Sequence, residues 1–170
     1  MGNTGAQSRA LENFLAVLCR YTEPEANELT LRFALANSAL LSADVAAAAD
    51  PNYKDVQDHY NANYLGRGLV VEKYTGSRGK SGGSDANPEF IASVRGIFDE
   101  AKVFWQTGEI GKVDLGGGGT IAQYMANTGM QVVDCGVPVL SMHAPFELAS
   151  KADLYNAYRG YQAFLQNYMR

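Results

Sequence analysis

Residues 131–147, Gln-Val-Val-Asp-Cys-Gly-Val-Pro-Val-Leu-Ser-Met-His-Ala-Pro-Phe-Glu, constrain the fold of this chain more than any other stretch. Two short apolar runs, 132–135 and 137–142, are parted by Gly136 and Pro138. Runs of this length, rich in β-branched residues and bounded by Gly and Pro, read as buried strands. The second run leads to His143, with Glu147 four residues beyond it. An imidazole at the end of such a strand, before a Pro-containing bend, sits where open α/β sheets place their chemistry. A lone histidine is more often a structural hydrogen-bonding residue than a ligand, so the rest of the chain has to decide.

Around that stretch, strand-like and helix-like segments alternate. From Ser8 the residues Leu11, Phe14, Leu15 and Leu18 fall on one helical stripe, and Pro24 ends it. Residues 25–35 fit a short helix or a strand, because Leu29, Leu31, Phe33 and Leu35 alternate with polar or small residues. A short apolar run over 39–45 ends on an acid, and Asp50-Pro51-Asn52 makes a turn. Residues 53–64 are polar and aromatic and are expected to cross the surface. Residues 68–74 read as a strand. The Gly/Ser-rich segment 75–87 reads as a long flexible loop. Asn87-Pro88-Glu89 predicts a capped helix start, with Phe90, Val94, Ile97 and Phe98 on its buried side. A strand over 103–106 and a turn at Thr107-Gly108 follow. Gly116 to Gly119 form a four-glycine loop, Thr120 caps a helix to Asn127, and Thr128-Gly129 stops it. A final helix over 150–168 is expected to bury Leu154, Tyr158, Tyr161, Phe164 and Leu165. This alternation predicts one α/β domain over residues 1–170, a mixed sheet with helices on both faces.

Composition narrows the function. The 170 residues suffice for one core. A net charge of -4 and a pI near 5.1 argue against nucleic acid as a partner, since phosphate binding needs clustered Lys and Arg. The nearest basic group, Lys73, Arg78 and Lys80, lies in the Gly/Ser-rich segment. Cys19 and Cys135 sit in apolar contexts and fit burial in a reducing compartment. No run of about 18 apolar residues predicts a membrane span, and the N-terminus lacks the order of a signal peptide. A cytoplasmic location is the expectation.

Two constellations carry chemistry. The four-glycine loop before a helix invites an anion, but it has neither a P-loop ending nor a Gly-x-Gly-x-x-Gly order; a close backbone approach to another ligand or to a strand fits better. Asp44 closes an apolar run. It caps a turn unless it faces His143, in which case carboxylate and imidazole make a sound zinc pair, at roughly 2.0–2.1 Å from the metal. A catalytic zinc takes about three protein ligands, and His59, the other imidazole, lies in the stretch expected at the surface. No HExxH, Cys-x-x-Cys or Gly-x-Ser-x-Gly is present. The residues alone give an incomplete carboxylate–histidine metal site.

Longer motifs then fall into one order: Ser42-Ala43-Asp44-Val45, Asp50-Pro51-Asn52-Tyr53, Lys73-Tyr74-Thr75-Gly76-Ser77-Arg78-Gly79-Lys80, Gly119-Thr120-Ile121, and Asp134-Cys135-Gly136-Val137-Pro138 leading to Ser141-Met142-His143. In this order the chain resembles the C-terminal part of the vacuolar aminopeptidase I and aspartyl aminopeptidase family of dinuclear zinc exopeptidases. The resemblance covers nearly the whole chain and implies the C-terminal portion of a three-layer α/β/α catalytic domain with a central mixed sheet. The opening Met1-Gly2-Asn3-Thr4-Gly5-Ala6-Gln7-Ser8 resembles the segment after the family's Glu-Glu-Ile-Gly-Ser motif, which would make Met1 internal to a longer protein.

The resemblance implies peptide substrates and two zinc ions per intact site, bridged by an Asp, with a Glu as general base. Asp44 would ligate one zinc and His143 the other. Lys73, Gly119 and Thr120 would bind substrate. The first histidine ligand, the bridging aspartate, the general base and an inserted dimerisation domain are expected upstream of Met1. The family implies a homo-oligomer for the intact protein. His-Ala-Pro-Phe-Glu after the strand resembles the aminopeptidase I branch more than the aspartyl branch. Two readings follow: part of a zinc aminopeptidase, inactive alone, or a non-catalytic half-domain with an assembly or structural role.

Overall fold

The computed structural model describes residues 2–77, 81–109, 111–112 and 114–168. Arg78 and Lys80 of the basic group lie outside them. A four-stranded mixed sheet forms the centre, built from β1 (Ala39–Ser42), β8 (Gln131–Gly136), β3 (Leu69–Glu72) and β6 (Trp105–Thr107), in that spatial order. β1 runs parallel to β8 and β6 parallel to β3, while β3 and β8 are antiparallel.

Period-2 alternation divides the strands between two helical layers. Leu69, Val71, Val133 and Cys135 point to one face, against α3 (Pro88–Glu100) and α5 (Lys151–Asn167). Val132 and Leu40 point to the other, against Ala122 and Met125 of α4 (Ala122–Ala126), with Leu11 of α1 (Ala10–Thr22) beside them. The three-layer α/β/α arrangement with a mixed central sheet is therefore present. Asn87 caps α3 by accepting from the backbone N–H groups of Glu89 and Phe90, with Pro88 in the first turn.

The rest of the strands extend this centre. β2 (Ala46–Ala47) and β9 (Pro138–Leu140) pair in parallel, and β10 (Leu148–Ala149) joins β9. β2 and β9 are the onward runs of β1 and β8, and they pair with the same offset, Ser42 opposite Asp134 and Ala46 opposite Pro138. One ladder thus continues past a gap at 43–45 and 135–137. A third sheet joins β4 (Tyr74–Ser77), β5 (Ser81–Asp85) and β7 (Gly117–Gly118).

Three expectations need correction, and the choice between helix and strand over residues 25–35 is decided. Residues 25–35 hold a helix, α2 (Glu28–Ala36), because Asn27 and Thr30 close a capping box that strand geometry could not use. The Gly/Ser-rich segment expected as a flexible loop forms β4 and β5, with glycine-rich β7 completing their sheet. The stretch 53–64 does not simply cross the surface: it contains a 3-10 turn (Lys54–Val56) and delivers Asn63, fully buried, to the edge of the fold.

The last correction concerns α5. Leu154 and Leu165 are 60% and 82% exposed, and the buried face is Asp153, Asn156, Ala157, Gly160, Ala163 and Phe164. Polar anchors at the helix start set this rotation. Asp153 accepts from the N–H groups of Gly66 and Gly68, both at 2.7 Å, and Asn156 accepts from Phe104 at 2.9 Å. Small residues then let the helix lie close to the sheet, since a Cβ on Gly160 would come within 2.8 Å of Leu69. The α1 stripe is likewise open: no α1 residue is buried, and Phe14 is 66% exposed.

Candidate metal centre

Asp44 sits in the gap of the interrupted ladder. Its carbonyl passes directly over Gly136, where a Cβ would lie 1.6 Å from the oxygen. Only a glycine lets the two backbones come this close. The Asp44 carboxylate accepts from the Val45 N–H at 2.9 Å and pairs with no Lys or Arg among the described residues.

His143 follows β9 on a tight turn. The turn closes through the Ala144 N–H donating to the Ser141 carbonyl at 2.9 Å. Ser141 and His143 both have left-handed backbone, φ +57° and +69°, a conformation uncommon for residues other than glycine. The His143 N–H donates to the Glu147 carboxylate at 2.6 Å, which secures the turn. Among the described residues the His143 ring makes no hydrogen bond of its own.

Asp44 and His143 both line one cavity of about 370 Å³. Gly119 and Thr120 line the same cavity, as do Gln57 and the backbone of Gly116 to Gly118. Lys73 does not line it; its ammonium is held by Asp85 on β5, in an exposed pair. His59 lines a neighbouring cavity of about 500 Å³ with Asp50 and Lys54. No group of three or more His, Cys, Asp or Glu able to hold a metal occurs among the described residues. Asp44 and His143 are donors of the right kind for zinc, one oxygen and one nitrogen, but they are fewer than a closed site needs.

Behind the cavity lies a row of buried polar residues that the sequence reading did not single out. Ser42, Asp134 and Glu72 are neighbours across β1, β8 and β3, and all are at most 4% exposed. Asp134 accepts from the Thr120 hydroxyl at 2.7 Å and from the Thr75 hydroxyl at 3.2 Å. Burial raises its pKa, against the hydrogen bonds from Thr120 and Thr75 and the nearby Ser42 hydroxyl, while the Asp44 charge raises it further. The Ser42 hydroxyl favours the carboxylate although it lacks a well-aligned hydrogen bond.

Glu72 accepts from the Asn63 amide at 3.0 Å. Burial pushes its pKa to about 8, and the charges of Asp134, Glu109 and Asp44 act in the same direction. A signal for both acids was present: Val-Val-Glu and Val-Val-Asp each set a carboxylate inside a β-branched run, where a buried charge requires partners.

The model of the aminopeptidase I zinc metalloprotease family (M18) matches residues 1–165. A probable M18 family aminopeptidase 1 of Clostridium acetobutylicum is 56% identical over 167 residues, covering 98% of this chain and 36% of the relative. A crystal structure of aminopeptidase I from the same organism superposes with a TM-score of 0.88 at 53% identity, over 98% of this chain and 35% of that one. The crystal structure of an M18 aminopeptidase from Thermotoga maritima gives a TM-score of 0.92 at 45% identity, over 97% and 37%. The chain thus spans a little over a third of the length of the relatives it matches.

Proposed function

The chain belongs to the aminopeptidase I family of zinc metalloproteases (M18), and from that membership we propose that it carries part of the active site of a zinc aminopeptidase that releases N-terminal residues from peptides. The carrying observation is that Asp44 and His143, neither of them in an ion pair among the described residues, line one cavity. In this reading each ligates one of two zinc ions. Zinc supplies a Lewis acid for the scissile carbonyl and lowers the pKa of a bound water.

This chain's residues do the rest of the work assigned to them. Asp44 is held against Gly136 at the ladder gap and His143 by its Glu147-tied turn, so the backbone that carries each donor is fixed before metal arrives. Gly119 and Thr120 form a wall against which a peptide backbone can lie, with Val45, Val56 and Met142 giving apolar surface nearby. That surface, with the Lys73 charge already held by Asp85, favours neutral over acidic N-terminal residues. Lys73 would act on substrate only after leaving that pair. The remaining ligands and the general base come from the rest of the protein. The intact enzyme is a cytoplasmic homo-oligomer in this proposal.

One observation supports the second reading for the isolated chain, a half-domain without catalysis: the lack of a third metal-binding group among the described residues. The two readings meet in one test. The purified chain is expected to retain less than one zinc after dialysis, to lose what it binds in Asp44→Ala and His143→Ala, and to leave leucyl and aspartyl anilides intact. Two zinc ions retained through dialysis, or chelator-sensitive hydrolysis by this chain alone, would overturn the proposal of a partial site. Zinc binding that ignores both substitutions would remove Asp44 and His143 from it.

A further inference from the structure

The cavity wall is held from behind. Asp134 lies mid-sheet on β8, and three segments that reach the cavity or its surroundings converge on it. Thr120 follows the glycine loop and donates to one carboxylate oxygen; its own oxygen accepts from the Ala122 N–H at 3.1 Å, starting α4. Thr75 of β4 donates to the other oxygen. β4 in turn pairs with Gly117 and Gly118, so the loop is tied to Asp134 a second time through the third sheet. Ser42 stands opposite Asp134 on β1, two residues before Asp44.

The glycine loop has no side chains with which to hold itself in place. Its shape comes from backbone pairing and from its neighbours. A Cβ on Gly117, where φ is +100°, would lie 2.2 Å from the Gly76 carbonyl, so loop and β4 are in close contact. A loop so built follows whatever fixes its ends. The Thr120 and Thr75 hydroxyls, both buried, meet on a single carboxylate.

We propose that Asp134 is a positioning residue for the candidate zinc site: through Thr120 and Thr75 it fixes the glycine-rich wall against the sheet edge that carries Asp44. The role assigned to the cavity rests on the zinc-aminopeptidase reading above; the mechanical link does not. A hydrogen bond from a hydroxyl to a buried carboxylate is among the stronger kinds, and local opening is governed by such contacts rather than by global stability alone.

Amide hydrogen exchange on the folded chain separates this role from general support. Thr120→Val keeps the shape and deletes the donor; Asp134→Ala removes the hub. In both, exchange at residues 117–122 and 74–77 should rise about tenfold or more, while α3 and α5, on the opposite face, keep their protection. Thr120→Ser, which restores the hydroxyl, should return exchange to that of the parent chain. An equal rise in every element, no rise at the loop, or a failure of serine to rescue would overturn the proposal. Should Asp134→Ala not fold, the Thr120 pair decides the matter alone. Zinc binding by the Asp44→Ala chain is read separately, so a failed metal reading leaves a distinct signature.

Discussion

A Cβ on Gly136 would stand 1.6 Å from the carbonyl oxygen of Asp44. The two residues face each other at the gap in a ladder whose register is unchanged on either side. The gap is therefore a local opening in a continuous pair of segments. It frees Asp44 from strand geometry and turns it to the cavity it shares with His143. At this sheet edge the site depends on an absent side chain as much as on the acid.

Gly136→Ala should accordingly destabilise the chain by about 2–4 kcal/mol, the cost of overpacking against backbone that cannot rotate away. Gly96→Ala is the control, since a Cβ there meets nothing within 4 Å on α3. It should stabilise by about 0.5–1 kcal/mol through helix propensity and unfolded-chain entropy. Urea unfolding of both variants checks the pair, and equal effects would refute the close-approach argument.

Glu72 makes stability fall as pH rises. Its folded pKa of about 8 lies above the ordinary carboxylate value because of burial, so the folded chain holds a proton that the unfolded chain has released. Stability from this group is fully present below the unfolded pKa, declines by up to about 1.4 kcal/mol per pH unit between roughly pH 5 and 8, and is lost above that. Asp134, also raised by burial, acts in the same sense. Glu72→Gln keeps an acceptor for Asn63 and should flatten this part of the profile, raising stability at pH 8 relative to the parent. A parent-like slope in the variant, measured by denaturant titration from pH 5 to 9, would exclude Glu72 as its source.

Asp153 anchors α5 to the chain ahead of β3. Its carboxylate takes the N–H groups of Gly66 and Gly68, whose φ values of +79° and +91° bring them round to it. Asp153→Ala leaves both donors unsatisfied and should cost about 2–5 kcal/mol. Asp153→Asn turns an amide N–H toward one of them and should recover only part of that loss. Thermal melts of the two variants test the order; an alanine chain as stable as the asparagine one would contradict it.

Metal removal gives a further check. If Asp44 and His143 face the cation across the cavity, added zinc should raise the melting temperature of the parent chain and leave that of Asp44→Ala, His143→Ala unchanged. Any stabilisation of the double variant equal to the parent's would place the zinc elsewhere.

Much of the fold was legible in the sequence because its signals are local. Val132, Val133 and Cys135 spell a buried strand, Asn87-Pro88 a helix start, and Gly129 a helix stop, each through backbone preferences that need no distant partner. The order of motifs through Asp44, Lys73, Thr120 and His143 carried the family. What the sequence could not decide depended on groups far apart in the chain. The α5 stripe Leu154, Tyr158 and Leu165 had the right period, yet Asp153 and Asn156 turned that helix by binding N–H groups more than 50 residues away. The strands at 74–77 and 81–85 formed because they pair with each other and β7 pairs with the first, giving hydrogen-bonding partners to a glycine-rich stretch with little preference of its own.

The sequence by itself determined which residues could be ligands, since only carboxylates, imidazoles and thiols qualify and His143 and Asp44 close its apolar runs. Tertiary structure alone decided that the two line one cavity, that Lys73 pairs with Asp85 outside it, and that the Thr120 hydroxyl meets Asp134. The reason is physical: a donor's identity is written at one position, whereas its direction is set by the backbones and buried charges that folding brings beside it.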